Sequence, residues 1–558
     1  MLVSGADIII RYLEEIGIDL IFGIPGGANL PLYDRLAKSS IQHILARHEQ
    51  GAAFMAQGYA RSTGRVAVCF ASSGPGVTNL LTGIADAKMD SIPIVAITGQ
   101  VPLSLIGTDA FQEIDTYGLT LPITKQTYLV KSPEELFHIL PEAFSIATSN
   151  RPGPVVIDVP KNIQNEKTLS KNFSSQKIKK VQSDFDLTRL EEVAYVIESS
   201  SKPILYVGGG MIQSNASPLL MELSEKQSIP IVSTLMGLSS IPFDNPFNLG
   251  MLGMHGAPYT NYLLEECDLL IGLGVRFDDR ATGKVEEFCK NAKIIHVDID
   301  ASEIGKIKNP NYSFVGDVRE FLEKINPLIS RKPRNNWMDR VEECKNAYPL
   351  SKISLSKNNP YRIIEMIGES VNEDTIITTD VGQHQMWVSQ CYPFKKTRTW
   401  LTSGGLGTMG FGIPAAIGAA FANPEKCVIC FTGDGSILMN IQELDVISEY
   451  NLNIKIILLN NNHLGLVRQQ QELFYKENFI ASKYHKPADF VKISKAFGIE
   501  SDSLEENQSD YSGILNRLNQ KGAYLLNIPI VAEEKVLPMV PAGAANRDMI
   551  LKEKISMT

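Results

Sequence analysis

Cysteine is scarce in this sequence, with seven among 558 residues. They are scattered over the whole length and odd in number, which excludes a disulfide scaffold and fits reduced core thiols in a cytoplasmic protein. No apolar run approaches the roughly 18 residues that suggest a membrane span. No basic block is present either. Lys and Arg number 53 against 62 Asp and Glu, a net charge of −9, which argues against a nucleic-acid partner. The opening Met1-Leu2-Val3-Ser4-Gly5-Ala6-Asp7 lacks a basic leader and runs into an amphipathic helical pattern, so no secretory signal is expected. Short repeats are missing, which excludes a solenoid, and the eight histidines have no metal-cluster spacing. What is present is an ordinary globular balance of 44% hydrophobic and 21% charged residues. The length suits three domains of about 150–200 residues.

Strand-length apolar runs alternate with helical patterns. Ile92-Pro93-Ile94-Val95-Ala96-Ile97, Pro154-Val155-Val156-Ile157-Asp158-Val159 and Ile454-Lys455-Ile456-Ile457-Leu458-Leu459 are almost unbroken β-branched or Leu runs. Such strands are buried on both faces, which requires parallel sheets covered by helices and an α/β fold. Two polar stretches, Glu166 to Asp184 and Ser330 to Pro360, read as linkers. They divide the chain into domains at 1–165, 185–330 and 360–530, with a tail at 531–558.

The densest local signal is Gly433-Asp434-Gly435-Ser436, directly after the strand-like Cys427-Val428-Ile429-Cys430-Phe431-Thr432. A helical pattern and a second strand follow, ending in Asn460-Asn461-Asn462. Asp434 and Asn461 are therefore expected at the C-terminal ends of two strands of one sheet, where α/β folds bind ligands. A carboxylate and an amide oxygen there suit Mg²⁺ bridged to phosphates. Either motif alone would be ordinary turn chemistry. A rival lies nearby: Gly405-Leu406-Gly407-Thr408-Met409-Gly410 matches the dinucleotide pattern, with Asp434 near the spacing of a ribose-binding acid. The Gly-Asp-Gly turn suits a metal–diphosphate site better. Cys427-x-x-Cys430 resembles a redox pair, but strand alternation puts the two thiols on opposite faces.

These residues carry a family resemblance. Gly433-Asp434-Gly435 through Asn460-Asn461 resembles the thiamine-diphosphate signature, and the chain is similar end to end to the acetohydroxyacid (acetolactate) synthases. The matching segments include Pro25-Gly26-Gly27-Ala28, Arg47-His48-Glu49-Gln50-Gly51-Ala52, Ser73-Gly74-Pro75-Gly76 and Ile106-Gly107-Thr108-Asp109-Ala110-Phe111-Gln112-Glu113. Further on they include Met251-Leu252-Gly253-Met254-His255-Gly256, Arg276-Phe277-Asp278-Asp279-Arg280 and Pro538-Met539-Val540-Pro541. The resemblance implies three doubly wound parallel-sheet domains: pyrimidine-binding, central FAD-binding and diphosphate-binding.

Residue by residue, it implies that Asp434, Asn461 and the His463 carbonyl hold Mg²⁺. Glu49 would activate the pyrimidine ring of thiamine diphosphate, against the ordinary reading of a solvated charge at a helix start. Gly407, Met409, Gly435, Ser436 and Met439 would complete the cofactor site, where the cofactor supplies the carbanion chemistry. Leu205-Tyr206-Val207-Gly208-Gly209-Gly210 is a strand running into three glycines, suited to close approach by a ligand or simply to a tight turn. By resemblance Gly208, Gly209 and Gly210, with Arg151, Thr234, Leu235, Arg276, Asp298 and Asp317, would hold FAD that undergoes no net redox change. Phe111, Gln112, Lys161, Met254, Arg280, Val381 and Gln470 would form the substrate pocket, with the cations complementing 2-oxoacid carboxylates. His384 would lie near the site without an assigned proton transfer.

Where the family normally has Trp, this chain has Gln470; Gln126 and Asn29 also depart from the usual residues. The activity implied is decarboxylation of pyruvate and transfer of its two-carbon unit to a second 2-oxoacid, giving 2-acetolactate for branched-chain amino acid biosynthesis. Sites built between the first domain of one chain and the third of another imply a homodimer or homotetramer, and a small regulatory subunit is a further expected partner. Two other readings stand beside this one. Gln470 leaves open acetyl transfer to a keto-sugar or an aldehyde, whereas retention of Glu49, Asp434 and Asn461 speaks against a non-catalytic binding subunit.

Overall fold

The computed structural model describes residues 1–174, 183–505 and 511–551. The linker expected over Glu166–Asp184 therefore falls partly outside the described residues, as does the last stretch of the tail. Three six-stranded parallel sheets carry the chain. The first runs Gln42–Leu45, Leu20–Gly23, Ala67–Ala71, Ile94–Gln100, Val155–Pro160, Gln126–Leu129 from edge to edge. The second runs Asn248–Met251, Ile231–Ser233, Pro203–Val207, Leu269–Leu273, Lys293–Asp298, Tyr312–Val315. The third runs Trp400–Leu401, Ile376–Thr379, Val428–Gly433, Ile454–Asn460, Tyr524–Pro529, Glu500–Ser503.

Alternation along each strand loads both faces of its sheet. Val428 and Cys430 enter one apolar cluster and Ile429 and Phe431 another, with Cys427 packed against the latter. Cys427 and Cys430 are thus free thiols on opposite faces. In the middle sheet Leu205 and Val207 face one cluster, and Ile204 and Tyr206 the other. In each sheet the strand order reverses near the centre, between Leu20–Gly23 and Ala67–Ala71, Pro203–Val207 and Leu269–Leu273, or Ile376–Thr379 and Val428–Gly433. The crevice at such a reversal is where open α/β sheets take ligands.

The first and third sheets share one core. Helix Glu49–Thr63 packs along helix Gly412–Ala422, and small residues from both, including Ala52, Ala56, Ala416 and Ala419, lie in a common cluster. The approach is close enough that a Cβ on Gly58 would overlap the Ala415 carbonyl oxygen, and one on Gly418 that of Met55. Here glycine is required by contact rather than by φ.

The stretch Ser330–Pro360 differs from its reading as a linker. Asn335–Ala347 is a helix whose Trp337, Val341 and Cys344 fill the core of the middle domain. Its polar outer face made the composition look like a linker. The tail also docks. The Val540 N–H donates to the Met254 carbonyl at 2.9 Å, and Arg547 pairs with Glu265 at 2.8 Å and Glu287 at 2.6 Å.

Candidate active site

Strand Val428–Gly433 delivers Asp434 into a buried turn beside the end of strand Ile454–Asn460, because Gly433 pairs in register with Leu459. Burial raises the Asp434 carboxyl to about 7, against backbone N–H groups of Asp434, Gly435, His463 and Asn462 that favour the anion. Its Oδ2 is buried with no hydrogen-bond partner. Asn461 donates through Nδ2 to Gln383 Oε1 at 3.0 Å, and its Oδ1 accepts from the His463 N–H at 3.1 Å. Ser436 Oγ donates to the Val381 carbonyl at 2.9 Å, tying this turn to the end of strand Ile376–Thr379. No group of three or more His, Cys, Asp or Glu side chains among the described residues forms a metal cluster. The donors here are a carboxylate with a free oxygen, an amide and backbone carbonyls. That all-oxygen set fits Mg²⁺, and an orphaned buried carboxylate oxygen is what a cation would satisfy.

His384 adds to this corner and was not assigned a role from the sequence. Its Nε2 is buried without a partner, and burial pushes its pKa down to about 3, so the ring is neutral. A Cβ on Gly433 would come within 2.9 Å of the His384 Nδ1. The signal was positional: Gly382-Gln383-His384 follows the strand paired with the Asp434 strand.

Glu49, Phe111, Gln112 and Lys161, expected at the site, lie on the first domain. Glu49 opens helix Glu49–Thr63, half-buried, and accepts from Asn79 Nδ2 at 2.9 Å. The start of that helix is gripped from the third domain. Glu443, fully buried, accepts from the Arg47 N–H at 3.0 Å and from that of His48, and burial raises its carboxyl to about 7. Phe111 is 88% exposed on a loop where Asp109 and Gln112 adopt left-handed φ of 56° and 59°. Glu113 holds that loop by accepting from the N–H groups of Gly107, Thr108 and Ala110. Lys161 starts helix Lys161–Asn165 at the end of strand Val155–Pro160.

A cleft of about 1110 Å³ opens between the middle and third domains. Of the residues assigned to FAD by resemblance, Gly208, Gly209, Thr234, Leu235 and Arg276 line it. Gly210 does not; a Cβ there would meet the Gly274 Cα at 2.7 Å, so it serves packing of two strand ends. Asp298 is buried with its carboxyl raised to about 7, and Asp317 caps helix Val318–Ile325. Arg151 pairs with Asp300 at 3.1 Å and with Glu303, itself on the cleft wall, at 2.6 Å. Of the substrate set, Met254, Arg280, Val381 and Gln470 line the same cleft, as does Gly407. Phe111, Gln112, Lys161 and Glu49 are not on its wall. Met439 is half-exposed beside Gly410, while the Met409 side chain reaches toward Gly435. One chain thus divides the expected site residues into those on the cleft wall and those off it.

Family models for thiamine pyrophosphate enzymes match the chain three times. The N-terminal TPP binding domain covers residues 3–119, the central domain 190–325 and the C-terminal TPP binding domain 380–528. The acetolactate synthase isozyme 1 large subunit of Escherichia coli is 51% identical over 98% of this chain and 97% of its own length. The chain belongs to the acetolactate synthase family of thiamine pyrophosphate enzymes. The chloroplastic acetolactate synthase of Arabidopsis thaliana is 44% identical over 98% of this chain and 84% of its own. The acetolactate synthase large subunit of Pyropia yezoensis is 45% identical over 98% and 95%. Membership settles the rival reading of Gly405–Gly410, which lies inside the C-terminal thiamine domain rather than in a dinucleotide fold. It also makes thiamine diphosphate the cofactor of these domains.

Proposed function

We infer that the protein is an acetolactate synthase, decarboxylating pyruvate and transferring the two-carbon unit to a second 2-oxoacid. The observation that carries this is the near-complete match to acetolactate synthases over both chain lengths. Acetyl transfer to a sugar or aldehyde is not favoured by those relatives.

Bound thiamine diphosphate supplies a nucleophilic carbon and an electron sink for loss of CO₂ from a 2-oxoacid. The chain's own residues hold and tune it. Asp434, Asn461 and the His463 carbonyl would hold Mg²⁺, with Gly435 and Ser436 alongside, and the neutral His384 faces the same corner. The Glu49 carboxylate, held by Asn79, would share a proton with the cofactor's pyrimidine ring. Gly407 and Met409 would bind that ring through their backbones, and Met439 would supply apolar bulk. Lys161 and Arg280 complement substrate carboxylates, while Phe111, Gln112, Met254, Val381 and Gln470 shape the pocket. Gly208, Gly209, Thr234, Leu235 and Arg276, which line the cleft, would hold FAD there with Arg151, Gly210, Asp298 and Asp317, and the flavin would undergo no net redox change.

A second copy of the chain completes each site. The exposure of Phe111 and Met439 supports this, because both are large apolar side chains that a partner surface would cover. A homodimer or homotetramer follows. The name "large subunit" borne by two relatives supports a small regulatory partner for this chain as well. The domain divisions at 1–165, 185–330 and 360–530, and a cytoplasmic location, complete the proposal. No helix among the described residues is long and apolar enough to cross a membrane.

Incubation with pyruvate, thiamine diphosphate, Mg²⁺ and FAD, followed by product identification, tests the function. The expected products are 2-acetolactate and CO₂, one CO₂ for every two pyruvates consumed. Acetaldehyde or acetate as the main product would overturn it.

A further inference from the structure

We propose that Asp86 and Asp90, clamped by Arg61, are positioning residues that hold the Ser403–Met409 loop in its cofactor-binding shape. The inference rests on the reading that Gly407 and Met409 meet thiamine diphosphate through their backbones. The three charged side chains belong to the first domain and the loop to the third. Both carboxylates are 0% exposed and the guanidinium 5% exposed. Arg61 Nη2 reaches Asp90 at 2.8 Å and Asp86 at 3.3 Å, and Arg61 Nη1 donates to the Thr402 carbonyl at 3.0 Å.

Two buried carboxylates against one cation leave an uncompensated negative charge, which is costly away from water unless hydrogen bonds satisfy it. The loop supplies them. The Gly404 and Gly405 N–H groups donate to Asp90 at 3.0 and 2.7 Å. Ser403 and Thr408 hydroxyls donate to Asp86, the latter at 3.0 Å, and the Thr408 N–H donates to Ser403 Oγ at 2.8 Å. These bonds close the loop on itself and set the residues on either side of Gly407. That glycine has φ of 68° and nothing within 4 Å of where a Cβ would be, so its backbone stands open to a ligand.

The arrangement also accounts for glycine at position 405, where a Cβ would sit 2.9 Å from Asp90 Oδ1 and from the Met89 Cβ. Asp86 and Asp90 end helix Pro75–Asp90, the helix whose Asn79 holds Glu49. One helix thereby touches both Glu49 and the Ser403–Met409 loop.

The test uses the full-length protein with Mg²⁺. Thiamine diphosphate affinity is measured by calorimetric titration, and apo-protein Tm is measured in parallel, for wild type, Asp90→Asn and Gly405→Ala. An Asn amide cannot accept from both loop N–H groups, and the added methyl displaces the loop without altering charge. A hydrogen bond to a charged group is typically strong enough for roughly a tenfold or larger effect. Both variants are expected to bind thiamine diphosphate at least about tenfold more weakly, with unchanged KM for pyruvate at saturating cofactor. If Asp90→Asn does not fold, Gly405→Ala decides. Lowered Tm with affinity within twofold of wild type would mean a purely structural cluster and overturn the proposal. Absence of saturable thiamine diphosphate binding by the wild type would instead overturn the cofactor reading beneath it.

Discussion

Acceptor choice is the property that Gln470 puts at stake. Helix Gly465–Phe474 turns Leu466, Gln470 and Phe474, spaced four residues apart, onto the wall of the cleft. The adjacent Gln469 is instead buried, bonded through Nε2 to the Val536 carbonyl at 3.0 Å and through Oε1 to the Val536 N–H at 2.9 Å. Of the two glutamines, Gln470 is the one on the cleft wall. A primary amide is narrow, flexible and hydrated, whereas an indole is a broad rigid apolar wall. The extra methylene of 2-oxobutyrate is worth about 1–3 kcal/mol in a well-formed apolar pocket. Because Gln470 is exposed in the cleft, the lower end of that range applies, and about 1–1.5 kcal/mol corresponds to roughly five- to twelvefold. The wild type should therefore use pyruvate and 2-oxobutyrate as acceptors within about threefold of each other. Gln470→Trp should shift that ratio toward 2-oxobutyrate by about five- to twelvefold. Both oxoacids are supplied together and the two acetohydroxyacids are quantified by mass spectrometry. A strong 2-oxobutyrate preference in the wild type, or no shift in Gln470→Trp, would show that selection lies elsewhere on the wall.

Three further outcomes are expected. Glu49→Gln should slow exchange of the thiazolium proton by about 10²–10⁴-fold, read by NMR, and wild-type exchange would refute its role. Glu443→Ala leaves the buried N–H groups of Arg47 and His48 without an acceptor, a loss of about 1–3 kcal/mol. It should lower Tm and also slow that same exchange, because the bonds fix the start of the Glu49 helix. Asp158, bonded to Thr98 at 2.7 Å and Gln100 at 3.0 Å, is raised by burial to about 7 from the ordinary 3.8. The folded state therefore keeps a proton that the unfolded chain releases, so stability is full below about pH 4 and falls as pH rises through 7, by up to about 4 kcal/mol. Asp158→Asn removes this dependence, so Tm of the variant minus that of wild type should climb between about pH 5 and pH 8.

What was legible in the sequence was local. The unbroken apolar runs required strands buried on both faces, and Val428–Phe431 divides between two clusters as alternation demands. The Gly-Asp-Gly turn and the Asn-Asn pair stood at adjacent strand ends because a parallel sheet aligns its C-terminal edges. The helix Asn335–Ala347 was missed although Trp337, Val341 and Cys344 carry helical spacing, because seven of its thirteen residues are exposed and set the composition. Gly210 also depends on a distant partner. Its neighbours fit a ligand turn, but its contact is Gly274, far along the chain.

The same limit explains why the grip of Glu443 on the Glu49 helix, and of Asp86 and Asp90 on the Ser403–Met409 loop, had no sequence signature. Each joins residues more than 300 positions apart. Buried carboxylates are rare without partners, so each was an oddity whose explanation lay in the other domain. The pairing is reciprocal: the third domain holds the start of the Glu49 helix, and the first holds the Ser403–Met409 loop. In a homodimer whose sites each take Glu49 from one chain and Gly407 from the other, the Glu443 contact reaches one site and the Asp90 contact the other. A mixed dimer of one wild-type and one Glu443→Ala chain should therefore keep one undamaged site, read as half of the sites in active-site titration. A titration showing both sites impaired would break this argument.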